Sequence, residues 1–303
     1  MSDSPRPLEK HELLLHMDFT RPIVLTTDLG DIDGYVGVMK GVILSISPRA
    51  VIIDLSHAIQ PQNLLQASFV LGSSAQYFPS GSIHVVVVDP GVGTNRDLLI
   101  LETPGATFIA PDNGVLSSIL LKNMSSQPIE TGYIPVPNLC DAYVLTESEI
   151  WLNPVSKTFH GRDILAPVAA QIALGMPTSQ LGSKVDRIFF LASPVPICRG
   201  NVNVGEVINR DRFGNLTTNI TEDLFLNARK VVVDIKGKKI IQLSKNFAEG
   251  SSSGSSVELL ALIGSHGLLE IAVKNGNAAE ILSADVGEQV LVWIDAKGEL
   301  YMP

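Results

Sequence analysis

The stretch Ile83-His84-Val85-Val86-Val87-Val88-Asp89-Pro90-Gly91-Val92-Gly93-Thr94-Asn95-Arg96 decides the fold. Its first half, with four consecutive valines, lacks the polar alternation of a half-exposed strand. Such runs belong to strands covered on both faces, as in parallel sheets between helices. The run then breaks at Asp-Pro-Gly. Asp89 and Arg96 therefore sit just past the C-terminal end of a strand, the edge at which open α/β sheets bind ligands.

Working outward, the flanking segments alternate in type. Residues 23–27 are β-branched, 35–46 carry Val38, Val42, Leu44 and Ile46 at helical spacing, 50–55 read as a strand and 64–77 as a helix. Downstream, 98–101 and 107–110 predict strands, 114–121 a short helix and 163–174 a later one. The proline-marked 122–159 region reads as a long loop. The expectation is a polar leader over 1–20 and an α/β domain over 21–192 with a largely parallel sheet between helices. Pro194, Pro196 and Gly200 mark a linker over 193–201. Short strand-like segments at 202–208, 231–235, 239–243, 268–273 and 289–294 then predict a smaller, mainly β, barrel-like domain over 202–303. Within it, 250–256 is a serine–glycine loop by composition.

Composition excludes several classes. The 303 residues are 45% hydrophobic and 17% charged, too apolar for a disordered chain. With 22 basic and 31 acidic residues the net charge is −9, which argues against nucleic acid as a partner. No apolar run is long enough to span a bilayer, and a leader carrying Glu9, Glu12 and Asp18 is no signal peptide. Cys140 and Cys198 lie far apart and read as free thiols in a reducing cytoplasm. Three motif matches carry no weight. Gly250–Gly254 fits GxSxG without the strand and helix that a nucleophile elbow needs. His11 and His16 are five apart and share no helix face, and Gly91-Val92-Gly93 lacks the third glycine of a dinucleotide loop.

Four constellations carry chemistry. In Thr26-Thr27-Asp28-Leu29-Gly30-Asp31-Ile32-Asp33-Gly34, Asp28 suits a ribose diol, the three carboxylates suit Ca²⁺, and a lone aspartate there also suits a helix cap. Asp89 and Arg96 either form a structural ion pair or orient a water or small anion. His160, in Thr158-Phe159-His160-Gly161-Arg162-Asp163, stands at a helix mouth that favours its neutral form, with Asp163 as a cap. In Asp211-Arg212-Phe213-Gly214-Asn215, Phe213 offers a stacking face and Asn215 an amide for a purine edge; the same residues also suit a turn between strands.

Taken in order, TTDLG, VDPGVGTNR, Ala110-Pro111-Asp112-Asn113-Gly114, TFHGRD and DRFGNLTTN resemble the S-adenosylmethionine (SAM) hydrolases that form adenosine, also called SAM hydroxide adenosyltransferases, relatives of the fluorinating and chlorinating enzymes. The resemblance runs from about Arg21 to the C-terminus. It implies hydrolysis of SAM to adenosine and L-methionine by water at the ribose C5′, without metal or cofactor, in a homotrimer with active sites between subunits. Asp89, Arg96 and His160 match the set that holds and activates the water; halogenases have tyrosines at the positions of Asp89 and His160, and the fluorinating enzyme has a halide-binding serine at that of Gly161. Asp28 matches the ribose aspartate, and Asp33 and Asn113 are counted with the substrate-binding residues. Phe213 and Asn215 would hold adenine, with Asn275 and Ala278 lining it, and Asp211 and Ser265 would hold the amino-acid end. The alternatives are a Ca²⁺-dependent nucleoside N-glycosidase, which the aspartates of the first strand end imitate, and a non-catalytic SAM or adenosine binder.

Overall fold

The computed structural model describes residues 21–124, 128, 130–248 and 258–295. The leader and the 250–256 loop expected from the sequence lie outside the described residues. The chain divides into two compact units between Leu191 and Ala192.

In the first unit the strands are β1 (Ile23–Thr27), β2 (Ile52–Ser56), β3 (Ser82–Val87), β4 (Leu98–Glu102), β5 (Ala106–Pro111), β6 (Gly132–Pro135), β7 (Asp141–Leu145), β8 (Gly182–Val185) and β9 (Arg187–Phe190). The helices are α1 (Tyr35–Ile46), α2 (Leu64–Ser74), α3 (Ser117–Lys122) and α4 (Ala166–Ala173). The main sheet runs β2-β1-β3-β5-β4-β7-β8. Its β2-β1-β3-β5 half is parallel, and β4, β7 and β8 extend it antiparallel. Every residue of β1 and β3 is buried, as their unbroken apolar runs require. Alternation along β3 sends Ile83, Val85 and Val87 into a core shared with Met39 and Ile43 of α1 and Val168 and Ile172 of α4. His84 and Val86 face the other way. There α2 and α3 approach closely enough that a Cβ on Gly72 would lie 2.5 Å from the Ser118 Cβ.

The 122–159 region differs from the loop expected. It carries β6, which pairs with β9 in a separate ribbon, and β7, which pairs with β4. Its prolines bound these strands instead of excluding them. Pro135 ends β6 in a two-stranded ribbon, where its missing N–H breaks no central ladder.

The second unit contains β10 (Ile197–Arg199), β11 (Val202–Arg210), β12 (Leu216–Thr221), β13 (Lys230–Ile235), β14 (Lys238–Ile241), β15 (Leu259–Ile263), β16 (Leu268–Val273) and β17 (Gln289–Asp295), with a one-turn helix α5 (Ala278–Leu282). The path is β14-β13-β17-β11-β12-β16-β15, and β10 pairs with β11. The sheet curls until its two ends nearly meet: the Ser244 N–H, just past β14, donates to the Ala261 carbonyl of β15 at 2.8 Å. Val207, Leu216, Val233, Ile271, Val290 and Val292 fill the barrel-shaped interior.

Candidate active site

In the first unit, the predicted residues gather at the C-terminal ends of β1 and β3. The Asp28 N–H reaches the Val87 carbonyl at 3.4 Å, tying the two strand ends together. The Asp28 carboxylate accepts the backbone N–H of Gln62 at 2.7 Å. Gln62 presents that N–H from a left-handed conformation, φ 65°, which is uncommon for a residue other than glycine. Thr27 Oγ1 accepts from the Leu29 N–H at 3.2 Å and lies 2.9 Å from His57 Nδ1. His57 is buried, its carbonyl accepts the Gly30 N–H at 2.9 Å, and its Nε2 lies 3.0 Å from Asp54 Oδ1. Lys40 in turn holds Asp54 at 2.6 Å. Asp54, His57 and Gln62 thus shape the loop that presents Asp28. Sequence reasoning missed all three because their contacts join β2 to β1 and leave no local pattern. Asp31 and Asp33 project into solvent with Ile32 between them.

Asp89 follows β3. A tight turn closed by Val92 N–H to Asp89 O and Thr94 N–H to Gly91 O brings the chain back to Arg96. Arg96 grips the Asp89 carboxylate with both arms of its fork, Nε to Oδ1 at 2.6 Å and Nη2 to Oδ2. The same Nη2 lies 2.9 Å from His160 Nδ1. The three residues singled out from separate motifs therefore form one connected group, in which Asp89 and Arg96 keep only 8% and 12% of their side-chain exposure. Gly93 lets the turn reach the histidine loop: its φ is +78°, and a Cβ there would stand 2.2 Å from the Lys157 carbonyl oxygen.

His160 precedes a single π turn, Gly161–Leu165, that runs into α4. Gly161 rests on the end of β3, where a Cβ would come within 3.0 Å of Val87 and 3.3 Å of the Met39 sulfur. The imidazole is held below its ordinary pKa by burial and by Arg96, against the opposing pull of Asp89, Asp163 and the Ser156 carbonyl. The neutral form is as the helix mouth suggested; burial is the leading cause. Asp163 is no cap. It lies inside the π turn, 1% exposed, and accepts the Ser156 N–H at 2.8 Å while pairing with Arg162. Burial alone would raise its carboxyl, but Arg162 and the Ser156 amide outweigh that and lower it.

Asn113 is turned inward. Its amide donates to the Val88 carbonyl at 2.9 Å and its oxygen accepts from the Val115 N–H at 3.1 Å, so it braces the strand end beside Asp89.

In the second unit, Asp211 organises the turn between β11 and β12. Its Oδ1 accepts the N–H groups of Phe213 and Asn215, both at 2.9 Å, and its Oδ2 accepts the Asn215 side-chain amide at 2.8 Å. That turn presents Phe213, 74% exposed, to a cleft of about 550 Å³ shared with Asn215, Phe247, Lys274 and Asn275. The turn between strands and the exposed ring facing a cleft are thus one segment. Phe247 is a second ring that no sequence motif singled out. Ala278 is buried at the start of α5, and Ser265 is exposed in the hairpin between β15 and β16.

Among the described residues, no three His, Cys, Asp or Glu side chains converge as a metal site requires. No described helix is long and apolar enough to cross a membrane.

Two family models match the chain, described as the SAM hydroxide adenosyltransferase N-terminal domain, over residues 23–182, and C-terminal domain, over 205–291. The (R)-S-adenosyl-L-methionine hydrolase of Thermus thermophilus is 34% identical over 273 residues, which is 89% of this chain and 98% of the relative. That of Methanocaldococcus jannaschii is 33% identical over 281 residues, 88% of this chain and 94% of the relative. A fluorinase of Nocardia brasiliensis stands further off, 26% identical over 312 residues, 90% of this chain and 97% of its own. Among solved structures, an uncharacterized conserved protein from Thermotoga maritima superposes with a TM-score of 0.78 at 35% identity, covering 89% of this chain and 99% of that one.

Proposed function

The chain belongs to the SAM hydroxide adenosyltransferase family, and on that premise we propose that it hydrolyses SAM to adenosine and L-methionine, with Asp89, Arg96 and His160 holding the attacking water. The observation that carries this reading is the connected Asp89–Arg96–His160 group at the C-terminal end of β3. Relatives named as SAM hydrolases, alike over most of their length, give the substrate. Asp28 sits at the adjoining strand end, ready to accept both ribose hydroxyls.

The chemistry asks little of such a site. Water attacks the ribose C5′, the C5′–S bond breaks, and its electron pair leaves on sulfur as the neutral thioether of methionine. No acid is needed for that leaving group. The site must place a water in line with the bond and accept one proton from it. Half-buried surroundings help, because the sulfonium charge disappears as the bond breaks.

The remaining assignments follow the same family pattern. Phe213 and Asn215 take adenine, Asn275 and Ala278 line it, Asp211 and Ser265 take the amino-acid end, and Asp33 and Asn113 are counted with the substrate-binding residues. A homotrimer completes each site from two subunits. Cys140 and Cys198, both free thiols, support a cytoplasmic setting.

Purified protein is incubated with SAM in halide-free, chelator-treated buffer and the products separated. Equal adenosine and methionine, lost in Asp89→Ala, support hydrolysis at C5′. Adenine would instead mean N-glycoside cleavage, and bound but unaltered SAM a binding protein.

A further inference from the structure

Within the proposed reaction, the hydrogen bonds around His160 divide the labour among the three residues. A guanidinium carries N–H donors and no acceptor. His160 Nδ1, 2.9 Å from Arg96 Nη2, must therefore present a lone pair to it. A neutral imidazole has one proton, so that proton stands on Nε2. The Ser156 backbone lies beside the ring and favours its protonated form. The Ser156 peptide is itself fixed, because its N–H donates to Asp163 Oδ2 at 2.8 Å. Asp163 is held by two Arg162 contacts at 2.6 and 2.9 Å.

We propose that His160 is a tautomer-locked acceptor that aims Arg96, that Asp89 is the group that takes the proton from water, and that Asp163 is a positioning residue acting through the Ser156 peptide on His160. The Nδ1 lone pair is taken by Arg96 and Nε2 carries the ring's one proton, so neither nitrogen is open to a water proton. The Asp89 oxygens each keep a lone pair beyond the one used by Arg96. When water attacks C5′, the O–H electrons stay on oxygen and the proton passes to an Asp89 oxygen. The carboxyl returns it to solvent after adenosine leaves. Asp163 is 1% exposed, closed off from solvent. The charged and titratable groups facing His160 are Arg96, Asp89 and Asp163, and its depressed pKa keeps it an acceptor at neutral pH.

The test is ¹⁵N spectroscopy of the intact protein with labelled histidine, His160 being assigned by its disappearance in His160→Gln. In the wild type, His160 is expected as the Nε2–H tautomer near pH 7; an Nδ1–H tautomer overturns the proposal. That measurement needs no turnover, so it decides the tautomer even if SAM is not the substrate. The second arm follows Asp163→Ala and Asp163→Asn. Asp163→Ala is expected to blur the tautomer signature and lower kcat tenfold or more, with KM for SAM changed less than twofold. Asp163→Asn, whose amide oxygen still accepts from Ser156, is expected to restore the tautomer and most of kcat. An unchanged tautomer and kcat in Asp163→Ala overturn the positioning role. So does a fall in kcat with the wild-type tautomer intact. Should Asp163→Ala fail to fold, the wild-type spectrum still decides the tautomer and Asp163→Asn the positioning role, which a lost Nε2–H signature in that variant overturns.

Discussion

Arg96 does work that lysine cannot copy. Its Nε and Nη2 hold both oxygens of Asp89, and Nη2 also reaches His160. A lysine ammonium is a single point charge and cannot span this fork. Arg96→Lys is expected to lower kcat about a hundredfold while the fold survives, the order of loss seen when one well-placed donor is removed; single-turnover kinetics checks it. Gly93 is fixed for a steric reason. Its φ of +78° and the Lys157 carbonyl 2.2 Å from where a Cβ would stand leave room only for hydrogen. Gly93→Ala should cost roughly 2 kcal/mol in urea unfolding, and it should also cost activity by pushing the His160 loop from Arg96. A stable Gly93→Ala variant with full activity would contradict the close approach. At this scale the sequence was legible wherever a motif was local: Asp89 and Arg96 lie seven residues apart on one turn. The braces were not, since Gln62 meets Asp28 across 34 residues and nothing in either neighbourhood announces it. Asp163 stood in view but looked like a cap. Its partner Ser156 lies seven residues upstream, outside any capping pattern.

Among the elements, β3 carries the site at one end and a liability in its middle. His84 stacks on Phe108 at 4.9 Å and meets Phe78 edge-on at 5.3 Å. Neither ring nitrogen has a hydrogen-bond partner. Burial pushes its pKa from 6.5 to about 4. Between those values the unfolded chain binds a proton that the folded chain does not, so stability falls as pH falls through the window and is unaffected above it. The loss amounts to roughly 3 kcal/mol at ~1.4 kcal/mol per pH unit. His84→Leu should flatten this acid limb, so denaturant titrations at pH 7 and near pH 4.5 should show a smaller drop in the variant. An equal drop would place the acid sensitivity elsewhere. The strand itself was the plainest element in the sequence, because burial on both faces writes itself as an unbroken apolar run. β6 and β7 were illegible for the opposite reason: each is short, half-exposed and set among prolines, and their pairing with β9 and β4 supplies the stability that local propensity lacks.

For the whole molecule, the proposed trimer makes a prediction that depends on how subunits share a site. Asp89→Ala disables the first unit and Phe213→Ala the second. If each site joins the first unit of one subunit to the second unit of another, co-expressing the two inactive variants yields mixed trimers in which about a quarter of sites have both halves intact. Activity should then return to roughly that fraction. A site built within one chain would show no rescue. The two-unit plan was legible from the change of rhythm near Pro194, where long alternating segments give way to short strands. The proposed division of the substrate between the two units rests on the order of the five motifs, which no single strand or helix encodes.

The central claim is that this chain delivers water to the ribose C5′. It is tested most directly by running the reaction in H₂¹⁸O and weighing both products. The account predicts one ¹⁸O in adenosine and none in methionine, with the labelled product lost in Asp89→Ala. Unlabelled adenosine, or release of adenine in its place, would contradict it.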